Sequence, residues 1–125
     1  MCGIAGIVDF SEKDNSKKVD SMLKTINFRG PDSKKIIPGS FFDIGMVRLS
    51  IIDLSEKANQ PFISEDGNII TIYNGEIYNF EDLKKTYFPN HSFSSSCDGE
   101  VIPALFQKFG IDFIKKIKGM FSICI

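Results

Sequence analysis

Cys2 stands directly behind Met1 and opens the first apolar segment, which makes it the most constraining residue of the chain. Methionine is commonly trimmed ahead of a small residue, and trimming here would leave Cys2 with a free α-amine. One residue would then carry both a nucleophile and a base. A thiol ordinarily titrates at about 8.5 and an α-amine at about 7.7–8, so near neutral pH part of the amine is unprotonated and can take the thiol's proton. An internal cysteine has only a non-basic amide nitrogen. The plainer reading makes Cys2 a small hydrophobe opening a buried strand, the usual place of a free cysteine.

The pattern of apolar residues predicts mixed secondary structure. Residues 2–10 alternate apolar with small or polar side chains and read as a strand against a packed layer. Val19, Met22, Leu23 and Ile26 recur at helical spacing and predict an amphipathic helix over 17–27, which Arg29-Gly30-Pro31-Asp32 ends. Strands are expected over 41–47 and 68–73, with a mostly apolar segment, 48–54, between them. Asn59-Gln60-Pro61 and Glu65-Asp66-Gly67-Asn68 are turn material. Asn74-Gly75, flanked by 69–73 and 76–78, predicts a two-residue hairpin. Asn79 is placed to cap a short helix reaching about Tyr87. Asp98 is placed to cap another that ends near Gly110, with Val101, Leu105 and Phe109 inward and Pro103 in its first turns. A further amphipathic stretch holds Phe113, Ile114 and Ile117. The chain then stops on an apolar strand, 120–125, which reads as a cut end because whole proteins usually blunt such an edge.

What is scarce narrows the chemistry. A chain of 125 residues with 42% apolar and 25% charged residues suits one soluble domain, and no repeat or linker divides it. The net charge of −1 gives no electrostatic case for nucleic acid or an anionic membrane. No apolar run approaches the roughly 20 residues of a membrane span, and the start lacks a secretory signal. The three cysteines, Cys2, Cys97 and Cys124, are odd in number and widely spaced, as reduced cytosolic thiols would be. His91 is the only histidine, in an exposed-looking stretch, Pro89-Asn90-His91-Ser92. A histidine-rich metal site is thereby excluded, and no C-x-x-C pair exists to hold zinc. Neither a phosphate loop nor a dinucleotide turn occurs. A nucleophilic Cys2 therefore needs a base other than histidine, and its own amine is the simplest one.

Several islands stand in one order: Met1-Cys2-Gly3-Ile4-Ala5-Gly6-Ile7, Arg29-Gly30-Pro31-Asp32, Arg48-Leu49-Ser50-Ile51-Ile52-Asp53, Ala58-Asn59-Gln60-Pro61, Tyr73-Asn74-Gly75-Glu76-Ile77-Tyr78-Asn79 and Cys97-Asp98-Gly99-Glu100-Val101-Ile102. Together they resemble the class II glutamine amidotransferases, which are N-terminal-nucleophile hydrolases. The Arg48 and Asn74 islands look most like the glutaminase domain of asparagine synthetases. The resemblance runs through the whole chain. Phe28 departs from it, standing where the family often has histidine, and the wording around Cys97 is one variant among several that keep the aspartate.

The resemblance implies an α+β fold, the αββα four-layer sandwich of N-terminal-nucleophile hydrolases, with two antiparallel sheets packed together and helices outside. It implies that residues 1–125 are a partial, C-terminally truncated amidotransferase domain, without the synthetase half that binds ATP and magnesium. By the same resemblance Cys2 attacks the amide carbon of L-glutamine, with its α-amine as base. The Asn74 side chain and the Gly75 N–H receive the oxyanion; losing one such donor typically costs about 2.7–4 kcal/mol. The dipeptide alone reads as a tight turn, which would also expose an N–H. Arg48 is implied to pair the α-carboxylate through its guanidinium fork, Asp98 the α-ammonium, and Glu76 to contact substrate. Without that context Arg48 reads as a solvated strand-end residue and Asp98 as a helix cap. Backbone groups of Leu49, Ser50, Ile51 and Ile52 are implied to line the pocket, while Arg29 and Asp32 hold a loop near Cys2. Cys97 and Cys124 are expected to be buried and inert, and Lys17-Lys18 and Lys115-Lys116 to be solvated helix faces. No metal site is implied in this chain. The synthetase domain in cis is the expected partner, a homodimer is compatible, and the cytoplasm is the expected compartment. Two other readings stay open: a related amidotransferase acting on a sugar or peptide acceptor, and a truncated, non-catalytic glutamine-binding or interaction module, which a retained Met1 would favour.

Overall fold

A computed structural model describes residues 2–125, and the trimming expected at Met1 lies outside them. Cys2 leads into β1 (Gly3–Val8), which pairs antiparallel with β3 (Phe42–Arg48). The other side of β3 takes β2 (Ser33–Pro38), so the first sheet has the order β1-β3-β2. β2 was not expected. Its Lys34 and Lys35 are exposed and give no apolar alternation, so only its pairing with β3 makes it a strand. The second sheet has β5 (Ile70–Ile77) at its centre, between β4 (Phe62–Ile63) and β6 (Gly119–Cys124), again antiparallel.

Side-chain parity distributes the core. On one face of the first sheet Val47 packs with Val19 and Leu23 of α1 (Ser16–Thr25), joined by Ala5, Ile7 and Ile36. On the other face Ile44 and Met46 meet Ile72 of β5, with Ile4, Ile37 and Cys124 around them, so the two sheets share an apolar seam. The far face of the second sheet supplies Tyr73 and Ile77, which pack on α2 (Phe80–Tyr87) through Leu83 and on α3 (Val101–Phe109) through Val101, Ile102 and Leu105. A 3₁₀ segment, Gly110–Lys115, adds Phe113 to that core.

The helix over 17–27 is present, but it starts one residue earlier and ends two residues earlier, and a 3₁₀ turn, Asn27–Arg29, follows it. Its buried stripe is narrower than expected: Val19 and Leu23 are fully buried, whereas Met22 is 42% exposed. Ile114 likewise points to solvent while Phe113 and Ile117 are buried.

The Asn74-Gly75 hairpin does not form. β5 runs straight through both residues, with Asn74 opposite Ser122 and Gly75 opposite Phe121. An Asn-Gly pair makes a hairpin only when its two flanks can pair with each other, and here residues 76–77 pair with β6 instead. Glycine is needed for closeness rather than for turning, because a Cβ at Gly75 would lie 2.1 Å from the Met120 carbonyl oxygen. Asn79 does precede α2, but its side chain makes no cap hydrogen bond. Its Nδ2 donates to the Lys116 carbonyl at 3.0 Å and its Oδ1 accepts the Lys118 N–H at 2.8 Å, fastening α2 to the approach to β6.

Leu23→Ala should therefore cost about 2–5 kcal/mol, and Met22→Ala no more than about 0.5 kcal/mol. Urea unfolding of the two variants checks this, and equal losses would contradict the observed face of α1.

Candidate functional site

The pairing of Gly3 with Val47 brings Cys2 and Arg48 to the same end of the first sheet. Alternation puts both on the seam side, with Ile4 and Met46. The Leu49 N–H donates to Cys2 Sγ at 3.4 Å, and the thiol lies 3.8 Å from the Leu49 carbonyl oxygen. A second segment locks this end. Arg29 Nε donates to the Cys2 carbonyl at 3.0 Å, the Asp32 N–H to the Arg48 carbonyl at 3.0 Å, and the Ser50 N–H to Asp32 Oδ2 at 2.7 Å. Gly30 lies flat on the strand exit, since a Cβ there would come within 2.6 Å of the Arg48 backbone.

Arg48 is only 5% exposed. Its Nη1 donates to Asn59 Oδ1 at 2.7 Å and to the Ser55 carbonyl at 3.4 Å, and its Nη2 to the Asp53 carbonyl. Asp98 is 3% exposed and does not cap its helix. Its Oδ2 accepts the Tyr73 hydroxyl at 2.5 Å and the Ile77 N–H at 2.7 Å, and its Oδ1 faces the Cys97 thiol at 3.6 Å. The tie to β5 explains the lost cap: the carboxylate turns toward a sheet rather than toward its own helix. Ion pairs among the described residues join Lys24 and Lys34 to Asp20, and Lys115 to Asp112, so neither Arg48 nor Asp98 has a charged partner. Burying opposite charges unpaired is costly. A ligand bearing both signs would offset that cost at one stroke.

These residues share one pocket. Its wall holds Cys2, Arg48, Leu49, Ile51, Ile52, Gly75, Glu76 and Asp98, together with Asp53, Gln60, Tyr73, Cys97 and Met120. Ser50 and Asn74 are not part of that wall. Asn74 is half-buried in β5, and its Oδ1 is buried without a hydrogen-bond partner among the described residues. His91 is exposed, and the cleft it lines with Phe88, Phe93 and Lys108 includes none of the residues around Cys2.

Burial pushes the Cys97 thiol up to about 12. Burial and then the neighbouring Asp98 also raise the Tyr73 phenol well above its ordinary value. Both groups thus stay protonated beside Asp98. Cys97 and Cys124 are half-buried rather than fully buried, and burial raises Cys124 as well.

Sequence reasoning passed over Gln60 and Asp53. The Gln60 amide acts as an extra strand for β5, donating Nε2–H to the Tyr73 carbonyl at 2.8 Å and accepting the Tyr73 N–H at 2.6 Å. Only its place in the Ala58-Asn59-Gln60-Pro61 island marked it. Asp53 accepts the Ser55 N–H at 2.8 Å, a local turn that an Asp two residues ahead of Ser signals.

Residues 1–125 match the glutamine amidotransferase domain, and the chain belongs to that family. The whole chain is 41% identical to 17% of the glutamine-hydrolyzing asparagine synthetase 2 of Bacillus subtilis. It is 35% identical, over 98% of its length, to 21% of the glutamine-hydrolyzing asparagine synthetase 1 of Arabidopsis thaliana. A third relative, the amidase chry2 of Gibberella zeae, is 33% identical over 98% of the chain and 20% of its own length. The chain spans roughly a fifth of these relatives.

Because its pKa is raised, Cys97 should stay unreactive through the range where an ordinary thiol ionises. Its alkylation by iodoacetamide in the native protein is expected to climb only as the pH nears about 12, but in denaturant near the ordinary thiol value. The difference favours unfolding across that alkaline window and vanishes below it. Site-resolved mass spectrometry reads the outcome, and native labelling of Cys97 at an ordinary thiol's pH would contradict it.

Proposed function

We propose that the chain hydrolyses L-glutamine to glutamate and ammonia through a thioester on Cys2, as the glutaminase part of an asparagine synthetase. The observation that carries this reading is a buried Arg48 and a buried Asp98, each without a charged partner among the described residues, in one pocket with the Cys2 thiol. An α-amino acid supplies both missing charges. Its α-carboxylate takes the guanidinium fork, its α-ammonium takes Asp98 Oδ1, and its side-chain amide is left to extend toward the sulfur.

Cys2, once freed of Met1, loses its thiol proton to its own α-amine and adds to the amide carbon. The Leu49 N–H beside the sulfur supports the thiolate. Negative charge moves to the carboxamide oxygen, where the Asn74 amide and the Gly75 N–H stabilise it. The α-ammonium of Cys2 returns that proton to the departing nitrogen, ammonia leaves, and water then cleaves the γ-glutamyl thioester. Glu76, Leu49, Ile51 and Ile52 complete the pocket. Two antiparallel sheets meeting at an apolar seam, with helices on their outer faces, support the αββα sandwich of N-terminal-nucleophile hydrolases.

ATP, magnesium and the acceptor belong to the synthetase half and take no part in these steps. No helix among the described residues is long and apolar enough to cross a membrane, and the cytoplasm is the proposed compartment. A second reading keeps the same glutaminase chemistry and feeds a sugar or peptide acceptor, and the match to a relative named an amidase rather than a synthetase is compatible with it. Supplying aspartate as acceptor separates the two.

In the full-length protein Cys2→Ala is expected to abolish glutamine-dependent amidation and spare amidation from added ammonia. Equal loss of both activities would overturn the role of Cys2. Arg48→Lys keeps the charge and loses the fork, so KM for glutamine should rise roughly 10- to 100-fold, with a smaller change in kcat. Steady-state glutaminase kinetics measure the split, and an unchanged KM would remove Arg48 from substrate binding.

A further inference from the structure

The positive and negative arms of the pocket hang from different sheets. Arg48 ends β3, and segment 49–59, which holds one 3₁₀ turn at Glu56–Ala58, closes over its guanidinium. Asp98 follows segment 94–97 and is tied to β5. Sheet pairing does not join these two segments.

Asp53 does. Its backbone carbonyl accepts Arg48 Nη2, so it holds the positive arm directly. Its Oδ2 accepts the Ser96 N–H at 2.9 Å and the Ser96 hydroxyl at 3.1 Å, two residues ahead of Asp98. Its Oδ1 accepts the Ser55 N–H at 2.8 Å, which fixes the side chain in that direction. Among the described residues these bonds from Ser96 are the only hydrogen bonds between segments 49–59 and 94–97. Hydrogen bonds from Ser55 and then from Ser96 hold the Asp53 carboxyl well below the usual carboxylate range, so the strap stays an acceptor across physiological pH.

Two groups on one α-carbon can be gripped together only if their receptors are held to within about 0.5 Å. We infer that Asp53 sets the separation of Arg48 from Asp98, and so makes the pocket select ligands that carry an α-carboxylate and an α-ammonium on one carbon. The inference rests on the reading of Arg48 and Asp98 given above. Asp53 acts through those two residues and is a positioning residue.

Calorimetry with L-glutamine on the full-length protein carrying Cys2→Ala, which cannot turn the ligand over, tests it, alongside the rate at which iodoacetamide, which carries neither α group, labels Cys2 in the protein that keeps it. Asp53→Ala is expected to weaken L-glutamine roughly five- to tenfold and to leave the labelling rate of Cys2 unchanged. Asp53→Asn keeps the shape and one acceptor oxygen, and should fall between the two. In an Asp98→Asn background the ammonium arm is already lost, so Asp53→Ala should add less than about twofold. An unchanged Kd in both Asp53 variants overturns the inference, as do losses that simply multiply with Asp98→Asn or that come with slower labelling. Since binding is read, a protein that keeps Cys2 and binds glutamine without turning it over sinks the proposed chemistry of Cys2 and leaves these comparisons decisive.

Discussion

The antiparallel register of β1 on β3 is the constraint from which the rest of the molecule follows. With Gly3 opposite Val47, the start of the chain lies beside the exit of β3. A slip of one residue would send every side chain of β1 to the opposite face. Ile4 would leave the seam, and the sulfur of Cys2 would turn toward α1. The register is held from outside as well as by the strands. Arg29 grips the Cys2 carbonyl, Asp32 grips the backbone of Arg48 and Ser50, and Gly30 allows that turn to lie against the strand. The opening turn of the site is thus tied to the sheet on two sides.

The charges at the site are solvated without being neutralised. Carbonyl oxygens and the Asn59 amide surround the Arg48 guanidinium, and a phenol, a backbone N–H and a thiol surround the Asp98 carboxylate. Neutral dipoles of this kind reduce the cost of burial while leaving each net charge uncompensated. A salt bridge across the pocket would have been cheaper to bury, but it would also have filled the site. Raised titration of Tyr73 and Cys97 serves the same end, because two protonated neighbours add no further negative charge beside Asp98.

Elements with strong periodicity were legible in the sequence: β1, α1 and β3 lie close to where their apolar spacing put them. Polar residues misled wherever a distant partner outbid a local one. Asn79 and Asp98 both read as helix caps, and both spend their side chains on other elements, at the approach to β6 and on β5. Asn74-Gly75 read as a turn because its neighbours in sequence looked like two strands, when the true partner lies near residue 121. β2 escaped notice because its exposed lysines hide a strand that only β3 defines. Within the site, the charged residues were named through family resemblance, whereas the scaffold around them was not. Asp53 meets Ser96 across 43 residues and Gln60 meets Tyr73 across 13, and no local pattern encodes either meeting.

Replacing the expected hairpin by a continuous strand changes the physical account of the site. A two-residue turn would have left the Gly75 N–H on a mobile tip, with its direction set by two exposed residues. As part of β5 it is carried by a strand with Ile72 in the seam between the sheets and Tyr73 and Ile77 in the helical core. Packing on both faces fixes the strand, and the missing Cβ of Gly75 lets β6 close against it. Asp98 is bonded to the same strand through Tyr73 and Ile77, so a donor at Gly75 and the carboxylate at Asp98 share one rigid frame. In the proposed reaction, preorganised donors would stabilise developing charge because nothing has to reorient as it forms, and a doubly packed strand meets that requirement better than a turn.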